Sequence, residues 1–199
     1  MEKPTAIYIH GYLSGANSST GQKLRAMKGD RFEILTPEVN ADPQHSLKVI
    51  NDLIKESNPA IIIGSSMGGL YTLACESGEI PLLLVNPLLT PVETMTEHFL
   101  NKTFSYHCKR LDGATETTIT ESELEQFAEL EAKIPSLIES KKPHLAAILS
   151  TRDELLGDSH IKILQDKITW IHKFNDFGHR CGGSCYGMIG TLIESSIEP

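Results

Sequence analysis

Three side chains in this sequence have the types and order needed for nucleophilic acyl chemistry: Ser66, Asp153 and His179. The serine stands in Gly64-Ser65-Ser66-Met67-Gly68, a G-x-S-x-G pattern. A hydroxyl becomes an effective nucleophile when an imidazole takes its proton and a carboxylate holds that imidazole in the right tautomer. Such a serine must stand clear of the backbone on a very sharp turn. Positions two before and two after it then have no room for a Cβ, and Gly64 and Gly68 meet that need. Ser65 is the rival nucleophile, but only Ser66 is centred between the glycines.

The elements that must position these groups can be read around them. Ile61-Ile62-Ile63 is a β-branched run suited to a strand buried on both faces. Leu70 to Cys75 can continue as a helix, whose N-terminal amides favour negative charge at the serine. Strand, glycine-flanked serine and helix form the context of a nucleophile elbow. The competing reading is an ordinary Gly/Ser turn that cradles a phosphate. No Lys follows the glycines as a P-loop requires, and G-x-G-x-x-G is absent. Thr5 to His10 reads as a first strand that ends in His10-Gly11-Tyr12-Leu13-Ser14-Gly15. Gly11 lets the backbone turn so that the Tyr12 N–H points into the site. The Met67 N–H would be the second donor to an oxyanion. His10 reads as a residue that shapes this loop.

Asp153 follows the strand His144 to Ser150, and His179 follows the strand Ile168 to Phe174 in a Gly-containing loop. Glu154, Asp158 and Asp176 are rival acids. His160 in a helix and His172 in a strand are rival bases. Strands also read over Phe32–Val39, whose Pro37 suits an edge, and over Pro81–Asn86. Helices read over Ser18–Gly29, from Asp42-Pro43 to Asn58, over Asp158–Leu164 and over Ser184–Ile197. This alternation predicts an α/β fold: one domain, with a mostly parallel, doubly wound sheet of about six strands and helices on both faces. Chemistry in such sheets gathers at the carboxyl ends of the strands, where every candidate residue sits. Between Pro87 and Lys142 the character changes, and no strong strand appears. A capping box at Thr120 to Glu123 opens a helix with Leu124, Phe127, Leu130 and Ile134 on one face, ending before Pro135. This excursion reads either as a small helical cap over the site or as crossover helices outside the sheet.

The 199 residues suffice for one sizeable core, and the net charge of −8 argues against nucleic acid and anionic membranes as default partners. It leaves room for an anionic substrate at a local basic spot. No apolar run approaches a membrane span, and a strand that begins by Thr5 leaves no room for a signal peptide, so a cytoplasmic protein is expected. Four cysteines, at positions 75, 108, 181 and 185, are too few for a disulfide scaffold. Cys181 and Cys185 stand in a C-x3-C arrangement beside His179, but no second ligand pair at metal spacing is visible. Free thiols are therefore expected, with no metal and no cofactor.

The segments I-Y-I-H-G-Y, I-I-G-S-S-M-G-G-L-Y, L-V-N-P-L-L-T-P-V-E and R-D-E-L-L together resemble the α/β-hydrolase superfamily. More narrowly, they resemble the small bacterial YqiA-like esterases. The Val85-Asn86-Pro87 segment and the compact length carry the narrower likeness, which is thin between about Asn101 and Lys142. The resemblance implies hydrolysis of small acyl esters or thioesters. Ser66 would be the nucleophile, His179 the base, Asp153 its partner, and the Tyr12 and Met67 amides the oxyanion hole. The stretch Arg180-Cys181-Gly182-Gly183 departs from the family pattern. Amide cleavage at the same site, or a non-catalytic binding protein on the same fold, are the alternatives. Oligomeric state, acyl length and leaving group are not legible.

Overall fold

The computed structural model describes residues 3–196, so the expected helix end at Ile197 lies outside the described residues. The first half of the chain alternates regularly: β1 (Thr5–Ile9), α1 (Ser19–Lys28), β2 (Glu33–Leu35), α2 (Pro43–Ser57), β3 (Ile61–Ser65), α3 (Met67–Ala74) and β4 (Leu82–Val85). An excursion follows, with α4 (Pro91–His98), β5 (Thr103–Ser105), β6 (Glu116–Thr118), α5 (Glu121–Glu131) and α6 (Ile134–Lys141). The chain then closes with β7 (Leu145–Ser150), α7 (Ser159–Leu164), β8 (Trp170–Phe174) and α8 (Ser184–Ser195).

Six strands form one parallel sheet in the order β2-β1-β3-β4-β7-β8. The side-chain period of two divides each strand between two cores. Ile7, Ile9, Ile62, Leu82 and Leu84 face α2, α3, α5 and α6 through Ile50, Leu70, Phe127 and Ile138. Ala6, Tyr8, Ile61, Ile63, Leu83 and Val85 face α1 and α8 through Leu24, Ile189 and Ile193. Burial on both faces is why these strands are almost wholly apolar. The helix signals also act as expected. Ser18 caps α1 by accepting from Gly21 N–H at 3.2 Å. Asp42 caps α2 by accepting from His45 N–H at 3.0 Å, and Asn58 ends that helix with φ 41°.

The chain leaves β1 for the edge strand β2, then returns to β3 on the other side of β1. That reversal opens a crevice outside the carboxyl ends of β1 and β3, the ordinary ligand position in such sheets. The edge strand is shorter than expected. Its ladder stops at Leu35, ahead of Pro37, which has no N–H to donate.

The excursion holds an antiparallel hairpin, β5–β6, where no strong strand was expected. Its strands are three residues long; two of the three in β5 and all three in β6 are Thr, Ser or Glu, so they carry no apolar alternation to read. Pro135 sits in the first turn of α6, where its missing N–H costs nothing, so a new helix begins there. On α5, Phe127 stacks on Tyr71 of α3 with ring planes 5° apart. From this excursion the β5–β6 loop reaches the crevice, through His107 and Cys108.

Candidate active site

Ser66 lies between β3 and α3 with φ 54° and ψ −122°, a conformation that costs a non-glycine residue about 1–3 kcal/mol. The surroundings hold it there. Ser66 N–H donates to the Val85 carbonyl at 3.0 Å, and the Ser66 carbonyl accepts from Leu88 at 3.0 Å and Gly69 at 2.9 Å. A Cβ at Gly64 would collide with the Gly68 carbonyl and the Thr72 hydroxyl. One at Gly68 would collide with the Ile9 carbonyl at the end of β1. The two glycines therefore let α3 start directly against β1 and β3.

His179 Nε2 lies 2.9 Å from Ser66 Oγ, and its Nδ1 lies 2.9 Å from Asp153 Oδ2 and 3.1 Å from Oδ1. The three residues, which are far apart in sequence, form one unbroken hydrogen-bond chain. The Asp153 side chain is fully buried, and that of His179 is 13% exposed. Burial alone would raise the Asp153 carboxyl. Hydrogen bonds from His179, Leu156 N–H at 2.8 Å and Leu155 N–H at 3.0 Å outweigh burial and hold it below the usual carboxylate range. An ionised Asp153 accepts the Nδ1 proton, which leaves Nε2 free to receive the serine proton.

The loop that carries His179 is fixed by residues that the sequence reading did not single out for this role. Asn86 is fully buried at the end of β4, with φ 41°. Its Nδ2 donates to the carbonyls of Gly178 at 3.1 Å and His179 at 3.0 Å, and its Oδ1 accepts from Ser150 N–H at 2.7 Å. Its signal was a polar side chain directly after an apolar strand and before Pro87. The Ser150 hydroxyl donates to the Phe177 carbonyl. Glu154, the rival acid, accepts from the His179 backbone N–H at 2.8 Å and so holds the main chain of the histidine rather than its ring.

The loop after β1 supplies the opposite wall. A Cβ at Gly11 would lie 3.1 Å from Ser66 Cβ, so this backbone faces the serine directly. Among the described residues, the Tyr12 and Met67 N–H groups have no protein acceptor, and both lie beside the serine turn. The Tyr12 ring packs edge-on against Phe99 at 5.0 Å. His10 is buried and ties the loop down. Its Nδ1 lies 2.9 Å from the Gly11 carbonyl, and its Nε2 accepts from Val39 N–H at 3.2 Å and lies 3.4 Å from Glu38 Oε1. Arg110, from the β5–β6 loop, pairs with Glu38 at 2.9 Å and donates to the Ser14 and Val39 carbonyls, both at 2.9 Å.

The sequence model of the family described as "Uncharacterised protein family (UPF0227)" matches residues 5–180. The chain belongs to this family, the YqiA-like family. A search of curated proteins found no match. Among solved structures, the monoacylglycerol lipase of Paleococcus ferrophilus is similar over 98% of this chain and 97% of its own, at 12% identity and TM-score 0.72. Est1E from Butyrivibrio proteoclasticus is similar over 98% and 86%, at 12% identity and TM-score 0.69. The thioesterase domain from the curacin biosynthetic pathway is similar over 97% and 92%, at 13% identity and TM-score 0.65. At such identities the likeness establishes the α/β-hydrolase fold.

In this UPF0227 protein the remaining candidates stand apart from the hydrogen-bond chain. Asp158 pairs with Lys162 at 2.9 Å on the surface, and Asp176 caps α8 by accepting from Ser184 N–H at 3.1 Å. His172 lies in an aromatic row on β8, 4.3 Å from the Phe174 ring. His160 is fully buried on α7, and burial pushes its imidazole down, although the Asp153 charge opposes this. Its ring nitrogens have no partner among the described residues.

One expectation fails. Cys181 and Cys185 are joined by a disulfide instead of being free thiols, with Cα atoms 5.8 Å apart. Cysteine count and chain length speak to multi-bridge scaffolds. They do not govern a single local bridge between a loop and the first turn of α8, whose Cα separation lies in the ordinary range. Cys75 and Cys108 are free. Among the described residues, no group of three His, Cys, Asp or Glu side chains could hold a metal ion, and no helix is long and apolar enough to cross a membrane.

Proposed function

We propose that this protein is a serine hydrolase that cleaves small acyl esters or thioesters through an acyl-enzyme. The observation that carries the reading is the continuous chain Ser66 Oγ, His179, Asp153 at 2.9 Å per link, on a strained turn. Ser66 Oγ attacks the acyl carbonyl while His179 Nε2 takes its proton. Asp153 keeps the imidazole in the tautomer that can do so and stabilises the imidazolium that forms. The Tyr12 and Met67 amides receive the developing oxyanion. They are fixed before the reaction starts, so they need no reorganisation as charge develops. His179 then protonates the leaving group, and a water activated by the same nitrogen releases the acid.

The fold relatives include a protein named as a lipase and one named as a thioesterase, which agrees with acyl transfer chemistry. The test is hydrolysis of 4-nitrophenyl acetate and a panel of short thioesters and amides by wild type, Ser66→Ala and His179→Ala. Either substitution is expected to lower kcat on the order of 10⁴-fold or more, since members of such a unit fail together. Turnover that persists in Ser66→Ala would overturn the reading. Faster turnover of amides than of matched esters would move the protein to amide hydrolysis.

A further inference from the structure

The charge around the crevice runs against the charge of the chain. The protein carries 26 Asp and Glu against 18 Lys and Arg, yet among the described residues no acidic side chain lines the cleft of about 500 Å³ beside Ser66. Arg180 and His107 are among the residues that line it. Lys23 stands just outside, 4.2 Å from the centre of the Tyr186 ring, and that ring is part of the lining. Several cations elsewhere pair with carboxylates, among them Lys28 and Arg31 with Glu194 and Lys162 with Asp158, whereas others such as Lys102 and Lys173 do not among the described residues. Among the described residues, the side chains of Arg180, His107 and Lys23 have no carboxylate partner.

The lining also carries several hydroxyls. Tyr8 Oη lies 2.8 Å from Ser65 Oγ, and Thr20 Oγ1 lies 3.4 Å from Tyr186 Oη. A cleft made for a long acyl tail would be lined mainly with apolar side chains. This one offers hydrogen-bonding groups and an unpaired guanidinium, whose planar fork matches a carboxylate or phosphate.

We infer that this cleft is a subsite for an anionic group carried by the substrate, with Arg180 as the specificity-determining residue and His107 and Lys23 as its basic rim. The substrate is then a polar, anion-bearing ester rather than a neutral lipid. The inference rests on the reading of Ser66 as the nucleophile. The anion can sit on the leaving group or on the acyl part, and the two placements are separated by the choice of probe.

The experiment compares kcat/KM for three chromogenic esters: neutral 4-nitrophenyl butyrate, 3-carboxy-4-nitrophenyl butyrate, and the monoanionic 4-nitrophenyl half-ester of adipic acid. Wild type is expected to prefer at least one anionic ester over the neutral one by about 10-fold at low ionic strength, and the preference should shrink as salt screens it. Arg180→Gln should bring that ratio to about one, mainly through KM, and Arg180→Lys should restore part of it. A purely structural role for Arg180 would lower all three substrates together, with no recovery in Arg180→Lys. Equal or slower turnover of both anionic esters by wild type, or a preference that survives Arg180→Gln, would overturn the subsite. Failure of wild type on all three esters, with no Ser66 adduct from an activated phosphonate, would instead remove the serine-hydrolase reading and the subsite with it.

Discussion

Replacing Asn86 should damage both stability and turnover, although this residue does not touch the reacting atoms. Its side chain makes three hydrogen bonds to main chain, to Gly178, His179 and Ser150, in a fully buried position. In Asn86→Ala the Ser150 N–H is left buried without an acceptor, at about 1–3 kcal/mol. The two carbonyls lose their donors at a partly solvated site, so they add less. An alanine at φ 41° adds about 1–2 kcal/mol of backbone strain, which Asn86→Gly avoids. The expected loss is therefore about 3–4 kcal/mol for Asn86→Ala, and somewhat less for Asn86→Gly. The freed loop carries His179, and a displacement of its ring by about 1 Å lowers kcat on the order of 10²-fold. Asn86→Asp retains the acceptor for Ser150 but sets a carboxylate oxygen against two carbonyls, so it should be no better than Ala. Urea unfolding and ester turnover measure both effects. A loss under about 1 kcal/mol with turnover within threefold of wild type in Asn86→Ala would refute the reasoning, as would a fully active Asn86→Asp.

Three further outcomes are expected. Arg110→Ala removes the charged partner of Glu38, which keeps Leu111 N–H and Ala16 N–H, and frees the Ser14 and Val39 carbonyls, so it should cost about 1–3 kcal/mol in urea unfolding and slow turnover by loosening the loop after β1; unchanged stability would show that this staple is slack. The Asp153 carboxyl is held below its ordinary value, so its ionisation stabilises the folded state fully above the unfolded pKa of about 3.9, and that gain is lost as pH falls through the lower native value. The stability advantage of wild type over Asp153→Asn should therefore shrink below about pH 4, and an advantage that grows on acidification would contradict the sign. Reduction of the Cys181–Cys185 bridge, or the double change Cys181→Ser with Cys185→Ser, should cost at most about 2 kcal/mol, because the closed loop is short; the double variant should then be insensitive to dithiothreitol, and a reductant effect that persists in it would point to another target.

The fold was legible wherever an apolar run was long enough to be buried on both faces, as in Ile61–Ile63, Leu82–Val85 and Leu145–Ser150. The caps at Ser18, Asp42 and Asn58 were legible because capping is local chemistry. The β5–β6 hairpin was not, since its pairing and its place against the loop after β1 are set by tertiary contacts such as Arg110 with the Ser14 carbonyl. The meeting of Ser66, Asp153 and His179 followed from their positions at the carboxyl ends of parallel strands. Their supports were harder to see. Asn86 and Glu154 act on backbone groups remote in sequence, and no spacing rule reveals such a contact. Cys181 and Cys185 were misread because composition reports on compartments and scaffolds, whereas their bridge depends on one local turn into α8.

The most direct measurement is labelling with a fluorophosphonate, read by intact mass and peptide mapping on wild type, Ser66→Ala and His179→Ala. One adduct per chain, mapped to Ser66, absent in Ser66→Ala and strongly slowed in His179→Ala, is the expected result. No adduct on folded wild type, or an adduct that maps to Ser65 or persists in Ser66→Ala, would contradict an activated Ser66.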